Sequence, residues 1–203
     1  MNRVERHCRA LAKHLRLMEL ARKLRVDTTD CTNPEFVNLV SASADNMPTL
    51  LHFGMFVPCM KTLLSSSQRQ KWLPLCNDCT VVGCYAQTEL GHGSNVRALE
   101  TTARFVDGGW VLNTPTLTST KFWPGSLGKT ANTAMVIARL VDGGGVDRGV
   151  HNFIVPIRCR KTHRPLKGVE VGDIGSKIGY NTMDNGFLKL ANVKVPLDNM
   201  AMR

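Results

Sequence analysis

The chain is predicted to be an α+β protein, with helices up to residue 80 and a series of short strands from 81 to 203. Three observations carry this. Residues 3–25 place apolar side chains at spacings of four and three, the period of a helix face. Beyond Thr80, short runs rich in β-branched and aromatic residues are separated by glycine turns, the pattern of strands. Helices come first and strands after, without βαβ alternation, which argues against a doubly wound sheet.

In the first helix, Val4, Cys8, Leu11, Leu15 and Met18 fall on one face, widened by Leu17, Leu20, Ala21 and Leu24. The bland reading is a bundle helix that buries this stripe and keeps a solvated basic back. The alternative is a membrane-surface or targeting helix, opposed by Glu5, Glu19 and the absence of Ser and Thr. A second helix starts after Thr32-Asn33-Pro34-Glu35, where Asn33 can cap and Pro34 suits the first helical position, with Thr32 and Glu35 offering an alternative capping box. It stops before Asn46-Met47-Pro48. A third stretch is expected over 49–64, kinked or broken at Pro58, and a short helix over 68–73, capped by Ser65-Ser66-Ser67 and ended by Pro74.

The strand region opens with Thr80–Ala86. Residues 100–105 and the run from Trp110 form a hairpin about Asp107-Gly108-Gly109. Residues 134–141 and 150–157 form another about Gly143-Gly144-Gly145. Short strands at 169–171, 186–190 and 193–195 complete the series.

Composition excludes several classes. The 203 residues carry 26 Lys+Arg against 16 Asp+Glu, net +10. Eight basic and two acidic residues lie in 1–25, so over half of the excess sits in one short segment. A second cluster, Arg158, Arg160, Lys161, Arg164 and Lys167, contains no acid. No nucleic-acid motif accompanies this charge, and the aromatic interleaving of single-strand binders is missing. No apolar run approaches the ~20 residues of a membrane span, and the basic start is not an export signal. Seven cysteines without an export signal argue against a disulfide framework. Cys76-Asn-Asp-Cys79 has zinc or redox spacing, but a structural zinc wants four ligands, and packed thiols are the simpler reading.

Two glycine motifs fail. Gly125-Ser-Leu-Gly-Lys-Thr130 ends like a phosphate loop, yet Trp123 stands where the first glycine belongs and Pro124 lacks an N–H. Gly91-His-Gly93 lacks the third glycine of a dinucleotide fingerprint. Two other segments hold together as a cofactor hint. Cys84 to Asn95 joins a strand to a loop carrying Thr88, glycines and hydroxyls. Lys121 to Gly128 sets aromatics next to Gly125, so that a flat ring would fit between Trp123 and bare backbone. The alternative for Thr88 and Gly125 is a strand-end hydroxyl and a turn glycine.

Tyr85-Ala-Gln-Thr88-Glu89-Leu-Gly91-His-Gly93, then Leu99-Glu-Thr-Thr-Ala103, resembles the acyl-CoA oxidase family, relatives of the acyl-CoA dehydrogenases. Lys121–Thr130, Phe153–Ile157, Gly172–Gly179, Asp184–Phe187, Val195–Met200 and the upstream Gln68–Pro74 match in the same order. The resemblance implies a partial helical N-terminal domain over 1–80 and an antiparallel β-barrel-like middle domain over 81–203 that carries FAD. It implies flavin contacts from Thr88, Gly125 and Trp123, with Ser94 at the cofactor pyrophosphate or the CoA arm. It also implies oxidation of a fatty acyl-CoA by O2 to a 2-trans-enoyl-CoA and hydrogen peroxide, in a homodimeric peroxisomal enzyme.

The family's catalytic carboxylate lies beyond anything matching residue 203. Glu89 corresponds to a motif Glu that is not the base, so no catalytic residue is assigned here. The isolated chain is therefore expected not to turn over. The alternative is a non-catalytic homologue or truncated isoform acting through partners. Ala201-Met202-Arg203 is not the Ser-Lys-Leu peroxisomal address.

Overall fold

The computed structural model describes residues 1–43 and 47–202. Asn46, before which the second helix was expected to stop, and Arg203 lie outside them. Helix α1 spans Arg3–Leu24, α2 Pro34–Ala42, α3 Val57–Leu63 and α4 Ser66–Asn77. The start of α1 is fixed by a capping box between Asn2 and Glu5, and α2 by Asn33 accepting from the Glu35 N–H ahead of Pro34.

Two proline expectations are revised. The stretch leading to Pro58 is one π-helical segment, His52–Phe56, and Pro58 sits in the first turn of α3. The wider turn makes room for a ring that would strike the carbonyl four residues back in an α-helix. Pro74 lies inside α4, which continues to Asn77. Trp72 and Cys76 are both buried on this helix, and His52 Nε2 bonds the Cys76 carbonyl at 3.0 Å, holding the last turn in place.

The face of α1 is the larger correction. Its buried residues are His7, Ala10, His14, Met18 and Ala21, whereas Val4, Cys8, Leu15, Leu20 and Leu24 are exposed. Both sets obey helical spacing, so periodicity alone could not choose between them. The partner chose: His7 Nδ1 bonds Thr182 O at 2.8 Å, and His14 Nδ1 shares a hydrogen bond with Thr49 Oγ1 at 2.9 Å. Of the basic residues, Arg3 pairs with Asp173 at 2.7 Å, while Arg6, Arg9, Arg16, Arg22, Lys23 and Arg25 are exposed.

Among the described residues nine strands follow: β1 (Gly83–Ala86), β2 (Thr102–Val106), β3 (Gly109–Asn113), β4 (Lys121–Phe122), β5 (Thr133–Val141), β6 (Asp147–Pro156), β7 (Val169–Asp173), β8 (Gly186–Leu190) and β9 (Val193–Pro196). One sheet orders β1-β5-β2-β3-β9, with β6 on the other edge of β5, and a second orders β4-β8-β7. The β2–β3 and β5–β6 hairpins are antiparallel as expected. The larger sheet is nonetheless mixed, because β1 and β2 both run parallel to β5.

The reason lies in the burial of β5. Ala134, Val136, Ala138 and Leu140 face one cluster with Phe153, Val155, Leu188 and Val195. Met135 and Ile137 face another with Phe56, Met60, Leu64 and Trp72. A strand covered on both faces reads as a continuous apolar run and suits parallel neighbours.

Candidate functional site

Between the helices and the strands lies an open cleft of about 1330 Å³. Its floor comes from β1 and the following loop, through Tyr85, Gln87 and Thr88. The end of β4 and the loop after it add Phe122, Trp123, Pro124 and Gly125. Leu50, Leu51 and Met55 enter from the helical side, and residues 174–180 with Met183 and Asn185 form the remaining wall. The cleft thus brings Thr88, Trp123 and Gly125 together. Ser94 is exposed on the loop preceding a short 3-10 turn and is not among the lining residues.

Each of the three is held by its surroundings. The Thr88 carbonyl accepts from the Phe122 N–H at 3.0 Å, which ties the two segments side by side. Among the described residues its hydroxyl has no protein partner, leaving a donor and an acceptor for a ligand. Trp123 is 54% exposed, unlike the nearly buried Trp72 and Trp110, so its indole is presented as a wall rather than packed away. Gly125 is buried, and a Cβ there would lie 2.6 Å from Leu51 Cδ1 and 2.9 Å from Met183 Sδ. Its missing side chain is what lets the loop close on the helical segment.

The loop beyond Gly125 is fastened by buried polar groups. Arg158 donates to the carbonyls of Leu127, Gly128 and Ala131, so this member of the second basic cluster is structural, while Arg160 to Lys167 are exposed. Asp184 accepts from the Lys129 and Thr130 N–H groups, both at 2.7 Å. The amides that a phosphate loop would offer an anion are taken by a carboxylate of the chain itself.

Glu89 is equally committed. Its carboxylate accepts from the backbone N–H of Glu100 and Thr101 at 2.8 and 2.9 Å and pairs with Lys121 Nζ at 3.0 Å. Lys121 completes its valence on the carbonyls of Gln87 and Ile137. Burial lowers the Lys121 ammonium to about 8, and Glu89 opposes that shift. Both side chains are sealed from solvent, and neither lines the cleft. No Asp or Glu occurs among the described lining residues. At Cys76 burial pushes the thiol up to about 12, the state of a packed and unreactive sulfur. Among the described residues no cluster of His, Cys, Asp or Glu could hold a metal ion, and no helix is long and apolar enough to cross a membrane.

Leu50, Leu51 and Met55 are not marked by any motif, whereas Gly172–Gly179 and Asp184–Phe187 carry the family resemblance without a site role, and the cleft gives Ile174, Ser176–Tyr180 and Asn185 a place in its wall. A signal existed in Ile178 and Tyr180, two large apolar residues in a glycine-flanked loop, and both are exposed at the lip of the cleft.

Residues 1–82 match the family described as acyl-coenzyme A oxidase N-terminal, and residues 84–193 match the acyl-CoA dehydrogenase middle domain. The chain belongs to the acyl-CoA oxidase family. It is 52% identical over 158 residues to peroxisomal acyl-coenzyme A oxidase 1 of Arabidopsis thaliana, covering 75% of this chain and 24% of the relative. The corresponding Rattus norvegicus enzyme is 47% identical over 158 residues, 77% of this chain and 24% of its own length.

Among solved structures, an acyl-CoA oxidase from Lycopersicon esculentum superposes with a TM-score of 0.93 at 44% identity. Acyl-CoA oxidase-1 of Caenorhabditis elegans, complexed with FAD and ATP, gives 0.92 at 40% identity. Each of these two alignments covers all of this chain and 31% of the solved chain. This acyl-CoA oxidase family member therefore spans about a quarter to a third of the length of the relatives it matches.

Proposed function

We propose that this chain supplies the flavin-facing and acyl-facing walls of an FAD-dependent acyl-CoA oxidase of fatty acid β-oxidation. The cleft carries the reading, since its free Thr88 hydroxyl, exposed Trp123 indole and apolar lining are what a flat, polar-edged ring system and an acyl chain require. Relatives crystallised with FAD support the cofactor, and one bound with FAD, ascaroside-CoA and ATP supports a CoA thioester. FAD, when bound, would supply the hydride acceptor for desaturation between the α and β carbons. Thr88 would hydrogen-bond it, Trp123 would cover it, and Gly125 would bring loop backbone close to its edge. Leu50, Leu51 and Met55 would exclude water around the acyl chain. Ser94, outside the cleft, is left for the hydrophilic arm of the substrate.

Removal of the α proton needs a positioned base, and the described lining offers no carboxylate. We accordingly assign this chain binding without turnover. In the whole protein the products are a 2-trans-enoyl-CoA and, from O2, hydrogen peroxide; the protein is a peroxisomal homodimer. The test is a titration of the purified chain with FAD, followed by Trp123 emission against a Trp123→Phe control. Weak quenching that drops further in Thr88→Val is expected, and no quenching at millimolar FAD would overturn the reading. Palmitoyl-CoA should yield no peroxide. Peroxide formed from palmitoyl-CoA by the purified chain would overturn the assignment of binding without turnover.

A further inference from the structure

We propose that Asn185 is the positioning residue that locks Trp123 into the conformation that builds the cleft's aromatic wall. The proposal rests on the cleft being the ligand site. Trp123 has φ +87°, in the left-handed region that a bulky side chain enters only when its surroundings impose it.

Three hydrogen bonds impose it. The Trp123 N–H donates to Gly186 O at 2.9 Å, and the Gly186 N–H donates to Pro124 O at 3.0 Å. These two are backbone bonds that many sequences could form. The third is a side-chain bond: Asn185 Nδ2 donates to the Trp123 carbonyl at 2.6 Å. A carbonyl only accepts, so the amide orientation is fixed by this contact. Asn185 is 7% exposed and lines the cleft itself. Its main-chain carbonyl accepts from the Ile174 N–H at 3.0 Å, at the start of the loop that forms the remaining wall. One residue therefore fastens both sides of the opening. Asp has the same shape but no donor, and Ala has no reach.

Without the amide, Trp123 is free to relax to negative φ, which turns its carbonyl and swings the indole off the wall. The effect belongs to position 123 and vanishes where that residue tolerates positive φ, as glycine does. The experiment is hydrogen exchange on the ligand-free chain for wild type, Asn185→Ala, Trp123→Gly and the double variant. Asn185→Ala should speed exchange of the residue 123 and Gly186 amides about tenfold, the loss expected for one good hydrogen bond, with β5 and β6 unchanged. In the Trp123→Gly background the same substitution should have an effect within about twofold.

An equal acceleration in both backgrounds, or none in either, would overturn the proposal. Should Asn185→Ala fail to fold, Asn185→Asp is compared in the same two backgrounds. FAD titration of Asn185→Ala, expected to weaken binding, is a separate arm. If FAD fails to bind even the wild type, the function reading falls while the exchange result still decides the clamp.

Discussion

A methyl group at position 125 would have to share space with Leu51 Cδ1, and the displacement would be felt in the cleft that both residues line. Gly125→Ala is expected to destabilise the chain by about 1–3 kcal/mol, the usual range for overpacking. Leu51→Ala in the same chain should recover part of that loss in a urea titration. Additive losses would mean that the glycine serves the backbone and not the packing. Glu89 makes a different kind of demand. Replacing it by Gln leaves Lys121 buried without its counter-charge, and removal of one partner from such a pair costs about 3–5 kcal/mol. Glu89→Gln should therefore unfold well below wild type, and Glu89→Gln with Lys121→Met should regain stability. Thr88 and Trp123 were legible in sequence because hydroxyls and aromatics beside glycines are chemically conspicuous. Asn185 falls within Asp184–Phe187, which carries the family resemblance, but its bond to a carbonyl 62 positions away leaves no local signal of that role.

At the scale of elements, α1 shows how a correct helix can be assigned the wrong face. Its existence follows from period and capping, but two stripes share that period, and the apolar one was chosen because histidines count as polar. In the fold His14 and His52 are buried neutral, and burial lowers each to about 4. A histidine whose folded value lies below its ordinary 6.5 takes up its proton more readily unfolded, so stability is present above 6.5 and is lost as pH falls towards 4. At pH 5 the loss is about 2 kcal/mol for each histidine. The midpoint of urea unfolding should fall between pH 7 and pH 5, and His52→Gln should flatten that slope. A slope unchanged in His52→Gln would place the acid sensitivity elsewhere. The prolines teach the same lesson: Pro58 and Pro74 announced breaks, and a π turn and buried neighbours let the helices pass through.

For the whole molecule, order of elements was the legible property and strand pairing was not. Helices before strands follow from local periodicity, whereas β1 and β2 lying parallel to β5 depends on residues some 35 to 50 positions apart. What unites the two halves is the double burial of β5. Met135 is fully buried among Phe56, Met60, Leu64 and Trp72 from the helices, while its neighbours Ala134 and Val136 pack towards the second sheet. Gln68 adds a polar link from α4, donating to the carbonyls of Asp198 and Met200 at 2.8 and 2.6 Å. With one strand serving both cores, helices and strands should unfold together. Met135→Ala removes a side chain on the helical face only, at about 2–5 kcal/mol. It should nonetheless lower the helical circular dichroism transition and the Trp110 emission transition by the same amount, roughly 5–15 °C for a chain of this size. Trp110 lies in the other cluster, against Phe153, so with Trp72 and Trp123 replaced by Phe throughout it reports the sheet–sheet core independently. Helical signal melting ahead of Trp110 would show that the helices are docked on a separately folded β unit.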